Sequence, residues 1–418
     1  MTNSPIDYDG FRVALYSPEF SADPHCVYRE MRERYGSLVP VSLAPGVPAT
    51  LVIGYRAAVR ILHDPERFPA DPRIWQRDIP AGCPVLPILQ WRPTAIRSAG
   101  MEHARYRNAN VAAIGGVERR RLHDTVEEIA MSTINRFCEA GSADLVAQYA
   151  FPVAFEVINA MLGCPADIGQ RAAAGLAAMF DGIDADQGDA MLGGALMELV
   201  DHKRIEPGED ITTRLLKHPA GLDDLEVMQQ LVPIYGAGVV PLLNLIANTL
   251  LLILTDDRFA GDVLGGSLST RDAIDEVLFN DPPLANFCFT YPQQPIVIDN
   301  VWLPAHQPVV ISMAACNNDP GIHEGDHTGN RSHLAWSAGP HACPAREAAY
   351  LIAQDAIDQI LDILPDIRLA IAPEELTWRP GPFHRALATL PVVFPASSFP
   401  SGGMRPPWNA ATTVPPPL

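Results

Sequence analysis

The sequence predicts a mainly helical protein with a small β region, one large helical domain with minor antiparallel sheets at its side. Helical apolar periodicity recurs along the chain, extended β-branched pieces are few and short, and 40 prolines among 418 residues fall between the periodic segments and give them firm ends. Hydrophobic residues make up 48% and charged residues 19%, a globular composition that excludes disordered, fibrous and disulfide-rich classes.

In chain order, the periodicity predicts helices over Pro24 to Tyr35, Ala57 to His63, Glu102 to Ile114, Val117 to Glu139, Val153 to Leu162, Leu222 to Leu254, Thr270 to Asn280 and Ala345 to Leu364. Strands are predicted at Leu38 to Val41, Thr50 to Ile53, Ile296 to Ile298, Val309 to Ile311 and Leu390 to Phe394. No fixed-period repeat or low-complexity linker interrupts Tyr8 to Ser397, so residues 11–398 read as one domain. Residues 1–10 read as an N-terminal extension, and 399–418, rich in Pro, Gly and Thr, as a disordered tail.

With 30 basic against 49 acidic residues the formal charge is -19, which repels polyanions and argues against nucleic acid as a partner. Lys203 and Lys217 are the only lysines, so positive charge rests on arginine, whose flat guanidinium suits carboxylate and phosphate recognition. Cys26, Cys83, Cys138, Cys164, Cys288, Cys316 and Cys343 are widely spaced with no Cys-x-x-Cys pair, as expected of a cytoplasmic chain. Met1 to Gly10 lacks the pattern of a secretory signal. Leu242 to Leu254 is too short and, with Asn244 and Asn248, too polar for a bilayer core of about 30 Å, so no membrane span is predicted.

The segment Trp336-Ser-Ala-Gly-Pro-His-Ala-Cys343-Pro-Ala-Arg346 places a Gly-Pro loop before one cysteine and a helix behind it. With Cys343 as N-cap and Pro344 as first helical residue, the amides of Ala345 and Arg346 point at the sulfur and favour its thiolate. Such a thiolate is a plausible axial ligand for haem iron; taken alone, a single cysteine is more often an inert core residue.

That segment resembles the haem-binding signature of the cytochrome P450 family, Phe-Gly-x-Gly-x-His/Arg-x-Cys-x-Gly, with Trp336, Gly339, His341 and Cys343 in register and Ser337 and Ala345 in place of two glycines. The likeness extends over most of the chain. It implies the P450 fold, haem b (iron protoporphyrin IX) as cofactor and Cys343 as metal ligand. His103-Ala-Arg-Tyr-Arg107 matches the family's His-x-x-x-Arg, and i,i+4 spacing puts both side chains on one helix face, where they would reach haem propionates together with His341. Read without the family, the pair is a solvated face. Cys164 reads as packing, and Trp378 to Arg385 resembles the family's C-terminal substrate loop.

Three positions depart from the family. Members carry Ala-Gly-x-Asp/Glu-Thr in the helix over the iron; here the register set by Asn244-Leu245-Ile246 puts Ala237 at the cofactor and Gly238, Val240 and Pro241 at the catalytic positions. Neither Val240 nor Pro241 donates a proton, and proline inside a helix should leave the Ala237 carbonyl unpaired and kink the helix. The Glu-x-x-Arg motif reads Glu276-Val-Leu-Phe279, so Glu276 needs another partner, Arg331 or His327. Thr290 occupies the position of the usual propionate-binding arginine, leaving His103, Arg107 and His341 to hold the haem.

The residues expected over the iron face are Val239, Val240, Leu242, Leu243, Leu284, Phe287, Phe289 and Phe383, with Asp78 to Pro93 as a lid and Gln90, Trp91, Arg92, Asn286 and His384 as orienting groups. Core packing accounts equally well for each apolar member. The resemblance implies a haem-thiolate oxidase of secondary metabolism acting on a hydrophobic aromatic natural product. It would work by radical oxidative coupling (C–C or C–N bond formation, cyclodipeptides included) or by hydroxylation. Ferredoxin and ferredoxin reductase would supply electrons, because the chain has no flavin module or cluster-binding cysteines. The alternative is a catalytically silent haem protein that binds a carrier-tethered substrate or another biosynthetic enzyme.

Overall fold

The long helix Asp224–Thr255 organises the fold, and its start is local chemistry: the Asp223 carboxylate accepts from the Glu226 amide at 2.8 Å, and the Glu226 carboxylate accepts from the Asp223 amide at 3.0 Å. The computed structural model describes residues 11–80, 82–181, 184–259, 268–322 and 329–397. The expected extension and tail lie outside the described residues, as does His327.

Two hydrophobic cores meet on this helix. Its first half, through Val239 and Val240, packs with Ala166–Asp181, Ala185–Ile205 and Gly100–Gly115. From Leu242 onward it joins Arg119–Ile134, Phe151–Leu162 and Arg346–Ile363. Pro241 stands at the junction, and the helix runs through it and through Pro233 without a break, as the predicted span Leu222 to Leu254 has it. The helix matches the predicted span closely but, contrary to the expectation drawn from Leu242 to Leu254, is long and apolar enough to cross a membrane; most of that apolar window is buried inside the protein.

The helix pair Ala166–Asp181 and Ala185–Ile205 has no counterpart among the predicted helices, and two of its glycines, Gly175 and Gly188, sit where the helices meet. They are close-approach residues: a Cβ on Gly175 would stand 2.6 Å from the Gly188 carbonyl, and one on Gly188 would stand 2.7 Å from the Gly175 carbonyl.

The main sheet has five strands in the order Val13–Ala14, Leu38–Ala44, Val47–Val52, Val309–Ser312, Asn286–Thr290. It is mixed, with two parallel pairings, where minor antiparallel sheets are expected. Alternate residues enter different cores, Val39, Leu51 and Val310 on one face and Leu38, Val52 and Ile311 on the other. Burial on both faces explains why these strands read as apolar runs. Antiparallel pairings build the two smaller sheets, Ser142–Asp144 with Pro391–Val393 and Arg368–Leu369, and Ile296–Ile298 with Val301–Leu303.

Candidate haem site

The loop before Cys343 is closed by its own backbone, the Cys343 amide donating to the Trp336 carbonyl at 2.8 Å. Gly339 has φ +66°, and a Cβ there would lie 2.2 Å from the Leu62 carbonyl oxygen, so the loop seats flush against the end of helix Tyr55–Leu62 and only glycine fits. Ser337 takes φ 58°, the left-handed conformation that the family's glycine would adopt without strain. Ala345, the other glycine replacement, has φ −102° and fits.

Helix Arg346–Ile363 begins later than expected: Ala345 is its N-cap, and Pro344 lies in the preceding turn. The Ala345 amide still donates to the sulfur. Burial nevertheless pushes the Cys343 thiol up, against the pull of that amide, Arg107 and Arg346. The pull of the helix end on the sulfur is thus present, as expected, and is outweighed by burial; a bound metal cation would add to it.

His103 and Arg107, on helix Gly100–Gly115, meet His341 from the cysteine loop. The His103 and His341 rings are 4.2 Å apart. His341 is pushed down to about 3, first by burial and then by His103, Arg107 and Arg97, while burial and Arg107 lower His103. Burial also lowers Arg107, opposed by Cys343. Among the described residues no carboxylate pairs with these groups, and the buried Nε2 of His103 has no hydrogen-bond partner. A concentration of basic side chains without anions, beside a cysteine sulfur, fits a dianionic iron porphyrin. Trp336, 5.4 Å from the Tyr350 ring, completes the loop's inner wall.

Opposite the sequence expectation, Val239, Val240 and Leu243 are nearly sealed in core packing, at 1%, 4% and 3% exposure. Ala237 is exposed, and Ile234, Gly238 and Pro241 are partly exposed. Helical spacing gathers these four into one partly open stripe beside the sealed Val239, Val240 and Leu243. The position of the family's acid thus faces the core, whereas that of its alcohol lies on the open stripe.

Phe287, Phe289 and Phe383 do come together, edge to face, with centroids 5.7, 5.9 and 5.6 Å apart. Leu284 is partly buried and paired by a β-bridge to His384. Two expected ligand contacts are structural instead. Asn286 is 1% exposed, accepts from the Tyr28 hydroxyl at 3.1 Å and donates to the Pro382 carbonyl at 3.1 Å. His384 turns to a small cavity shared with Phe20, Tyr28 and Trp378. In the expected lid, Gln90 and Trp91 are partly buried, the Trp91 amide donates to Gln76 at 2.6 Å, and Arg73 lies over the Trp91 ring at 5.1 Å. Arg92 is tied to Asp189 at 2.6 Å and to the Pro87 carbonyl at 3.1 Å, making it a latch to helix Ala185–Ile205.

The partner expected for Glu276 proves to serve its neighbour. Asp275, 2% exposed, accepts from Arg331 Nε at 3.0 Å and from the Tyr350 hydroxyl, whereas Glu276 pairs at 2.6 Å with Arg258. Sequence reading overlooked Asp275 because the adjacent Glu276 fits the motif; the i,i+4 spacing of Arg271 and Asp275 was the available signal. It also overlooked Arg97, the lone charge in Thr94-Ala-Ile-Arg-Ser98.

No protein-family model matches the chain. Individual proteins do. The cytochrome P450 monooxygenase PikC of Streptomyces venezuelae is 28% identical over 396 residues, 90% of this chain and 92% of its own length. Cytochrome P450 107B1 of Saccharopolyspora erythraea is 26% identical, covering 91% of this chain and 97% of itself. Among solved structures, CYP154C4 from Streptomyces sp. W2061 superposes with a TM-score of 0.83 at 25% identity, over 91% of this chain and 97% of that one. With the cysteine loop and the basic cluster, these place the chain in the cytochrome P450 superfamily. It is a P450 oxidoreductase, and its cofactor is haem b.

Proposed function

We propose that this P450 oxidises a hydrophobic aromatic natural product of secondary metabolism without an acid–alcohol proton relay, by oxidative coupling or by hydroxylation. The observation that carries the reading is at the central helix: Val240 is packed in the core and Pro241 has neither side-chain nor backbone proton to give. When bound, the haem supplies activation of dioxygen and one-electron oxidation. The chain's contribution is placement. Cys343 would ligate iron, and His103, Arg107 and His341 would hold the propionates. Trp336 and Gly339 would shape the loop beneath the ring, while Ala237, Gly238 and Pro241 present an apolar stripe above it.

The edge-to-face cluster of Phe287, Phe289 and Phe383, in which Phe287 is only partly buried, supports an aromatic substrate. Coupling through a substrate's own N–H or O–H needs no proton from residues 240 and 241, which is why the lost pair favours it. Electrons would come from a ferredoxin and its reductase, for the chain carries no flavin-binding or cluster-binding motif.

The test is turnover of the purified holoprotein with ferredoxin, reductase and a panel of aromatic cyclodipeptides, products being read by mass. A coupled dimer without added oxygen is expected; a product carrying one oxygen would select hydroxylation. Absence of both product and substrate-induced spin shift across the panel would overturn the aromatic assignment.

A further inference from the structure

Arg97 is an anomaly among the buried residues. It ends the short turn Ala95–Arg97, just ahead of the helix that carries His103 and Arg107, and is 3% exposed. Its Nη1 donates to the Ile96 carbonyl at 3.3 Å and its Nη2 to the Ile88 carbonyl at 3.0 Å, while Nε is buried with no partner. A guanidinium has five N–H donors, and among the described residues no carboxylate neutralises this one. A permanently charged group sealed away from water is costly unless an anion neutralises it, and its free Nε–H is the donor for one.

Its position says which anion. The guanidinium lies 5.7 Å from the Phe287 ring and 5.7 Å from the Phe289 ring, against the strand Asn286–Thr290, and its charge reaches His341. That strand ends in Thr290, which offers no charge and whose hydroxyl donates to the Val309 carbonyl at 3.4 Å. Strand and turn thus converge on one place, with the cation on the turn.

We propose that Arg97 binds a haem propionate, supplying from the turn before the His103–Arg107 helix the positive charge that position 290 lacks. Arg97 would form a charge-assisted pair through its free Nε–H and adjacent Nη donors, in a setting whose apolar rings exclude water. The inference rests on haem b as cofactor and is independent of the substrate or the reaction.

The test compares haem with its dimethyl ester, whose propionates carry no charge. Wild-type apoprotein, R97M and R97M/T290R are each reconstituted with both, and haem loss is timed by transfer to apomyoglobin. R97M is expected to release haem at least tenfold faster than wild type, to release the dimethyl ester at the wild-type rate, and to recover most retention of haem on addition of T290R. Equal loss of haem and ester from R97M, or haem retention unchanged in R97M, would overturn the proposal. Should R97M fail to fold, R97K replaces it in the same comparison, with partial retention of haem and unchanged ester release as the supporting result and equal loss of both as the opposing one.

Discussion

Around Cys343 single atoms decide what is tolerated. Gly339→Ala would drive a methyl into the Leu62 carbonyl at a positive φ, so little haem-loaded protein should be recovered, read as Soret absorbance per protein. Ser337→Gly relieves left-handed strain and should stabilise the holoprotein by about 0.5–1 kcal/mol in chemical denaturation, less than the full penalty because glycine adds entropy to the unfolded chain. The two carboxylates of the motif region should separate as sharply. Asp275→Ala leaves the buried Tyr350 hydroxyl without its acceptor, while the half-exposed Arg331 turns to water, and should cost about 1–3 kcal/mol. Glu276→Ala breaks a pair with Arg258, itself 47% exposed, and should cost under about 1 kcal/mol. Equal losses in the two variants would show that the ion pair has not moved to Asp275.

Histidine burial gives the molecule a defined acid sensitivity. Burial, and after it Arg379, pushes His384 down to about 4; burial likewise takes His333 to about 4. Their ordinary value is 6.5, so as pH falls from 6.5 toward 4 the unfolded chain takes up protons that the fold excludes. The stability they contribute is complete above pH 6.5 and is lost below it, by up to about 1.4 kcal/mol per histidine per pH unit. His384→Gln should therefore lose less stability than wild type between pH 7 and about pH 5. Parallel pH profiles would refute the assignment.

At the scale of elements, the central helix explains both a success and a failure of sequence reading. Its span was legible, Leu222 to Leu254 against the observed Asp224–Thr255, since apolar periodicity is local. The sealing of Val239, Val240 and Leu243 was not, because it depends on the two cores that meet on the helix. Pro241→Ala restores an amide able to donate to the Ala237 carbonyl and should stabilise the protein by about 1–3 kcal/mol, measured by denaturant midpoint. A destabilised variant would mean that the neighbouring helices are built around the proline. Arg92→Ala should release the segment before residue 93 from helix Ala185–Ile205, raising hydrogen exchange there while leaving haem content unchanged.

For the whole molecule, the identity of the superfamily was written in a few residues, Cys343, His341, Gly339, His103 and Arg107, because their types and spacings match the family's signatures along the chain itself. Most helix periods likewise came through, the pair Ala166–Asp181 and Ala185–Ile205 excepted. What tertiary structure decided are matters of mutual position: which of two adjacent carboxylates meets Arg331, which side of the central helix is sealed, and that Arg97 lies unpaired against the strand carrying Thr290. Sequence order carries no information on those points, since each is fixed by the approach of segments far apart along the chain. There burial, rather than local propensity, sets the free energy of every charge.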